Sequence, residues 1–291
     1  SVLLLVTGVL FPQRNERRAA SRINWEAGTI IVDMQEPLDR ERYPFPRARL
    51  EAEQQMEKNR TQVFLQTVES LALDSRRTMQ DFLTGDSVTS DPHLYLAALN
   101  DIAERGLKRS SVVSQDLATL TVIYEYSFYG PDGILAPFVT QTEALPVPRT
   151  IGYHTSRSFT GLVIYAKGDF PAFGRGTEVR LRPALFPKIF AVHADGTLDP
   201  VVDVSMIRPE VVTERGMLSY VGGTGPEAYA ARAGRFPLQI TLFAVYGVYN
   251  TDLVISEEAA LMLLSRDDNR NLLQEGKIVV IIDDPTVTVL E

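Results

Sequence analysis

Apolar and polar positions alternate through Leu120, Val122, Tyr124 and Tyr126, the pattern of a half-buried β-strand, and the run leads into the turn Gly130-Pro-Asp-Gly133. A second stretch, AGTIIVDMQEP over Ala27–Pro37, is rich in β-branched residues between Gly28 and Pro37 and also reads as a strand. Between them Leu50, Met56, Val63, Phe64, Val68 and Leu71 recur at spacings near three, four and seven. That period predicts an amphipathic helix of about 25 residues from Arg47, with its Glu, Arg and Lys residues mostly on the other face. Two shorter helices follow: SRRTMQDFLT, stopped at Gly85, and DPHLYLAALNDIAERG, opened by Asp91-Pro92 and closed at Gly106. Strand, helices and strand together predict an α+β unit whose helices cover one face of a small sheet.

The stretch LAPFVTQTEALPVPRTIGYHTSRS carries three prolines and little periodicity, so it reads as a connection between domains. Beyond it the pattern is β-rich. TGLVIYAKG and TEVRLRPALFPKIFAV are expected strands, the second confined to an edge or bulge by Pro183 and Pro187. Asp195-Gly196 in HADGTLDPVVDV is the strongest hairpin signal in the chain. FPLQITLFAVYGVYNTDLVIS reads as a long apolar β segment ending at Ser256, which caps a helix over EEAALMLLSRDDNRNLLQEG that stops at Gly276. KIVVIIDD is apolar at successive positions, as in a strand buried on both faces.

These elements predict an α+β protein of two domains. Residues 1–26 form an apolar segment and connector, 27–136 an N-terminal strand-helix-helix-strand domain, 137–158 a proline-containing linker, and 159–291 a β-rich α+β domain with one covering helix. A length of 291 residues agrees with two domains. The N-terminal run SVLLLVTGVLF is about half of the roughly 20 apolar residues needed to span a bilayer. It reads either as a buried or interface strand or as the remnant of a signal-peptide hydrophobic region, with Arg14, Arg17, Arg18 and Arg22 on its C-terminal flank; membrane association through residues 1–11 is open.

Composition narrows the chemistry. A net charge of −8 argues against a nucleic-acid binder, although a local basic patch remains open. The absence of cysteine removes disulfides, thiolate metal sites and cysteine nucleophiles together, and fits an exported bacterial protein. His93, His154 and His193 stand far apart and fit no short metal-ligand spacing, and no nucleophile elbow or phosphate loop occurs. Gly174-Arg175-Gly176 and Gly222-Gly223-Thr224-Gly225 could cradle an anion, but neither opens an apolar helical pattern, so both read as turns. Asp283-Asp284 leaves the last apolar strand without a partner His or Lys at motif spacing and reads as a cap on the strand exit. Asn59-Arg60-Thr61 matches a glycosylation sequon but falls mid-helix. Arg180, Arg182 and Lys188 would alternate along the proline-interrupted edge strand, as a solvated face that discourages edge pairing or as a docking surface for an acidic partner.

The series TGLVIYAKG, LRPALFPKIFAVHADG, ERGMLSYV, NTDLVISEEAALML and KIVVIIDD resembles the C-terminal module of bacterial envelope proteins related to FlgP/FlgT-type flagellar accessory proteins, found also among spirochaete envelope proteins. Gly161, Ala166, Lys167 and Gly168 match one element of that pattern, and Arg182, Pro183, Ala184, Pro187, Lys188 and Ile189 another; Asp252 and Ser256 begin the helix element. Tyr165 stands where the pattern often has an acid, and DFPAFGRGTEV is longer than the usual link. The resemblance implies a non-enzymatic periplasmic protein, without cofactor or metal, that joins an oligomeric ring or collar around the flagellar motor through contacts with other motor or envelope proteins. A ligand-binding or peptidoglycan-proximal envelope module is the alternative, on the strength of the glycine-rich loops. Arg180, Arg182 and Lys188 are the candidate partner interface.

Overall fold

The computed structural model describes residues 17–85, 92–150 and 155–290. Residues 1–11, His154 and the Asp91 cap position lie outside that range. The chain begins with β1 (Arg18–Asn24) and β2 (Thr29–Pro37), followed by α1 (Phe45–Glu69), α2 (Met79–Thr84), α3 (Pro92–Glu104), β3 (Leu107–Val113) and β4 (Thr119–Ser127). The second half runs β5 (Leu162–Tyr165), β6 (Phe170–Pro171), β7 (Glu178–Val179), β8 (Ile189–Val192), β9 (Leu198–Val202), α4 (Pro209–Arg215), β10 (Ser219–Val221) and α5 (Pro226–Ala233). It ends with β11 (Leu238–Thr241), β12 (Ala244–Tyr246), β13 (Asp252–Ser256), α6 (Glu257–Leu264), α7 (Asp267–Gln274), β14 (Ile278–Ile281) and β15 (Thr286–Leu290). The architecture is α+β in two domains, as the patterning predicts.

The first sheet is antiparallel, in the order β15-β1-β2-β4-β3. The alternation read in the sequence is what buries it: Ile30, Val32 and Met34 of β2 and Leu120, Val122, Tyr124 and Tyr126 of β4 are all in the core. α1 lies on that face through Ala48, Ala52, Met56, Val63, Phe64, Thr67 and Val68, and the Phe64 and Tyr126 rings meet at 4.2 Å. Leu50 is off this stripe and 53% exposed; the small side chains of Ala48 and Ala52, not a large one, let the helix approach the sheet. α2 starts with a reciprocal capping box between Thr78 and Asp81.

The second domain has a parallel sheet, β10-β14-β5-β11, and a mixed sheet, β12-β13-β8-β9. All four residues of β14 are buried between β10 and β5, the arrangement that the unbroken apolar run foretells. At Gly161, just before β5, an added Cβ would come 2.4 Å from the Ala233 carbonyl oxygen, so glycine is what admits the end of α5 there. The Asp195-Gly196 turn joins β8 to β9, with Asp195 accepting from the Thr197 amide and Gly196 at φ 81°.

Several expected elements are divided. The helix expected over 257–276 is α6 and α7, because Asn269 donates to the Met262 carbonyl at 2.9 Å and Arg270 to that of Leu264 at 2.6 Å, turning the chain. With α4 and α5, four helices rather than one stand among the described residues of this domain. The long segment from Phe236 to Ser256 is three strands, two of them folded back at Gly247 (φ 93°) and Asn250 (φ 58°). Between β7 and β8 the prolines leave no edge strand. Residues 180–188 form an irregular bracket whose amides reach both domains, Leu185 to the Ala72 carbonyl, Phe186 to Leu73 and Arg182 to Asn250.

The chain also crosses back. After β14, Asp284 accepts from the Thr286 amide at 2.8 Å and Pro285 accepts from the Trp25 amide at 2.8 Å, which steers residues 286–290 into the first sheet beside β1. The range 159–291 therefore contributes its last strand to the N-terminal domain's sheet. Hydrophobic packing is continuous between the two halves.

Candidate functional site

Two concave sites emerge. The first is a cleft of about 310 Å³ where the domains meet, lined by Ile23 and Trp25 of β1, Leu71 and Ala72 after α1, Arg182 and Pro183 of the bracket, Tyr249, and Val287 to Val289 of β15. Its floor is set by Trp25, whose ring meets Phe128 edge-on at 5.3 Å and Tyr220 at 5.6 Å, one from each domain. The Tyr220 hydroxyl exchanges bonds with the Ala184 backbone, donating to its carbonyl at 3.2 Å and accepting from its amide at 3.1 Å, and burial pushes that phenol well above its ordinary range. At the rim the Thr78 amide, the Thr78 hydroxyl and the Tyr249 hydroxyl all donate to the Asp81 carboxylate, which those bonds hold below the usual carboxylate range. The hydroxyls are thus already engaged.

The second site is a cavity of about 270 Å³ between β8, β9, α6 and the linker residues Pro148 to Thr150. At its mouth His193 is held from both sides: Nδ1 lies 2.8 Å from Glu257 Oε1 and Nε2 2.9 Å from Asp199 Oδ2. Hydrogen bonding to Glu257, then to Asp199, raises the imidazole above its usual 6.5. When protonated, the ring donates from both nitrogens to carboxylates and clamps the β8–β9 hairpin to the first turn of α6. It is placed to hold two elements together, with a carboxylate facing each ring nitrogen.

The sign of its pH dependence follows. A raised folded value means that the clamp's contribution is complete below about 6.5 and is lost as pH rises through the folded value. Glu257 and Asp199 set that field, with Asp195 of the same turn nearby and Arg149 of the linker lining the same cavity. Melting temperatures of the wild type and His193→Ala, measured from pH 5 to pH 9, should therefore diverge most at the acid end and converge at the alkaline end. A constant difference across the range would reject the clamp.

The other sequence candidates separate in space. Arg180 pairs with Asp169 at 3.1 Å on the exposed β6–β7 hairpin. Arg182 lines the inter-domain cleft with its guanidinium in no ion pair among the described residues. Lys188 is exposed, and its amide donates to the buried Asp252 carboxylate at 2.9 Å, whose own value burial raises. The three do not form one strand face. Asp283 accepts from the Gly168 amide at 2.9 Å and Asp284 turns the chain, so both carboxylates cap the strand exit as expected. Asn59 lies within α1.

Gly222 to Gly225 departs from the expectation of a plain turn: it joins β10 to α5, with Gly225 at the helix cap. Its first amide, Gly222, donates to the chain's own Glu26 carboxylate at 3.3 Å, which puts a negative group of the first domain where an anion would sit. Gly174 and Gly176 are exposed, and Arg175 between them donates to the Gly247 carbonyl and the Asn250 side chain. His93 lies in α3, and no cluster of three metal-ligating side chains occurs among the described residues. No described helix is long and apolar enough to cross a membrane.

Trp25, Glu257, Asp199 and Arg232 escaped the sequence reading. Glu257 is 64 residues from His193, and only the parallel pairing of β13 with β8 brings them together.

Fold and sites define a two-domain α+β protein whose halves are fastened through a shared sheet and a common aromatic core. Residues 16–130 match the family model of the N-terminal domain of Treponema pallidum Tp0624, and residues 161–284 match that of its second domain. The chain is thus similar to Tp0624 in both halves and in their order, and its domains are of a spirochaete type. No curated protein matches it.

Proposed function

We propose that this chain is a non-enzymatic structural protein of the cell envelope that works through protein–protein interfaces, and that it serves in the periplasm as part of a flagellar motor accessory ring or collar. The observation that carries the structural role is the return of β15 to β1, which ties the second domain to the sheet of the first, as a protein that transmits force would require. The flagellar placement is supported by the resemblance of Gly161 to Asp284 to the FlgP/FlgT-type module. The Thr78 and Tyr249 hydroxyls at the cleft and the His193 ring at the cavity are engaged in internal bonds, as in a scaffold.

Fluorescence localisation of the tagged chain, followed by electron tomography of motors in a deletion strain, tests this. Foci at flagellar bases with lost periplasmic density are expected. A diffuse envelope signal with an intact motor overturns the motor role and moves weight to the second reading, an envelope binding module using the inter-domain cleft, which purified sacculi or a small-molecule panel would then reveal. Within the motor reading, Arg182 and Lys188 contribute to the partner contact. Reversing both charges is expected to release the density while leaving the melting temperature in place.

A further inference from the structure

The first sheet ends in two edges that are built differently. β3 carries Lys108 and Arg109 and a register shift between Lys108 and Ser110, devices that blunt an edge against further pairing. In the second domain β9 carries Asp199 and Pro200. β15 has none of these. Its sequence, Thr286-Val287-Thr288-Val289-Leu290, holds no charge and no proline, and Thr286, Val287 and Thr288 are exposed. One side pairs with β1; no described strand pairs the other. Strand-forming residues on a bare, uncharged edge are a template for another strand.

The side chains say which strand fits. Val287 stands opposite Ile23 and shares its face, and Val287 and Val289 line the apolar inter-domain cleft with Ile23 and Trp25. Read in reverse, the strand is nearly itself. Antiparallel pairing about Thr288 sets Val287 of one copy opposite Val289 of the other, and Thr288 opposite Thr288. Like pairs of β-branched residues are the favourable cross-strand neighbours, and the edge brings no charge to oppose its own copy. A two-fold axis perpendicular to the sheet keeps both clefts on the same face, side by side across the new strand pair.

We propose that β15 is a self-pairing edge, through which two copies of this chain join their five-stranded sheets into one. The proposal rests on the reading of the chain as a protein that works through interfaces, and it names one of them. The contact is only five residues long on each side, which places it among small, concentration-dependent interfaces.

Sedimentation of the full chain over a rising concentration series tests it, with Thr288→Lys and Thr288→Glu as variants. Thr288 is exposed at the rim of the cleft and stands opposite the exposed Arg22 of β1, so either charge stays in solvent, and far-ultraviolet circular dichroism checks that the fold is kept. The wild type is expected to dimerise. Each variant alone should be monomeric, because like charges meet across the axis, and an equimolar mixture of the two should recover the dimer. A wild type that stays monomeric, or an oligomer indifferent to Thr288→Lys, overturns self-pairing. So does a monomer that instead binds a synthetic peptide of alternating valine and glutamate at this edge, which would assign β15 to a different protein. A monomer that still localises to the motor removes this pairing and leaves the proposed function standing; a dimer with a diffuse envelope signal does the reverse.

Discussion

Trp25→Ala is expected to lower stability by about 3–5 kcal/mol, the usual range for deleting a buried indole. The ring is 6% exposed and sits between Phe128 of the first domain and Tyr220 of the second, so its loss opens a cavity where the two halves meet. It also uncovers the Tyr220 hydroxyl and the Ala184 backbone groups bonded to it. Urea unfolding followed by circular dichroism measures the effect. The chain has a single tryptophan, so in the wild type its fluorescence reports on the domain junction alone. Fluorescence and circular dichroism should then give one coincident transition, because the shared sheet leaves neither half free to unfold first. A variant within about 1 kcal/mol of the wild type would show that β15 and the bracket hold the domains without the aromatic contact.

Arg232→Met should be comparably damaging, by about 3 kcal/mol, for a polar rather than an apolar reason. From α5 the guanidinium donates to three carbonyls: Gly276 at 2.7 Å, Arg215 at 2.6 Å and Gly216 at 2.6 Å. Two of them belong to the C-terminal end of α4, where a helix presents partial negative charge. Burial lowers the guanidinium to about 10, a measure of what enclosing the charge costs, and the three short bonds offset that cost. Methionine fills the volume but leaves the carbonyls unpaired. Lysine should not rescue the variant, since a single ammonium cannot reproduce the fork. Thermal denaturation is the check, and a Lys variant as stable as the wild type would reject the fork argument.

Elements whose signal is local were legible in the sequence. The two-residue period of β4, the helical period of α1, the unbroken apolar run of β14 and the Asp195-Gly196 hairpin each specify their own conformation within a few neighbours, and each forms the element read, although Leu50 lies off the buried stripe of α1. Where the reading divided elements wrongly, a distant or irregular partner decided. Arg180, Arg182 and Lys188 looked like one face of one strand, but amides on that segment bond to Ala72, Leu73, Asn250 and Asp252, and those bonds displace the ladder. Asn269, fully buried, breaks what looked like one helix by taking the Met262 carbonyl with its side chain and accepting from the Phe159 amide.

The candidate sites were the least legible part. His193 gave no motif because its two partners are 6 and 64 residues away, and a lone half-buried histidine carries no periodicity to betray them. The inter-domain cleft draws on β1, the turn after α1, the bracket, Tyr249 and β15, stretches with no sequence relation.

By itself, then, the sequence determined the class, the two domains and the identity of the main core strands, because hydrophobic period and turn chemistry act over a handful of residues. Only the tertiary structure decided that the last strand crosses back to the first sheet, that a carboxylate from the first domain meets the glycine-rich loop of the second, and that β15 has no described strand on its outer side. Those outcomes depend on which backbone groups find partners after the domains have packed, and no local pattern of side chains encodes that.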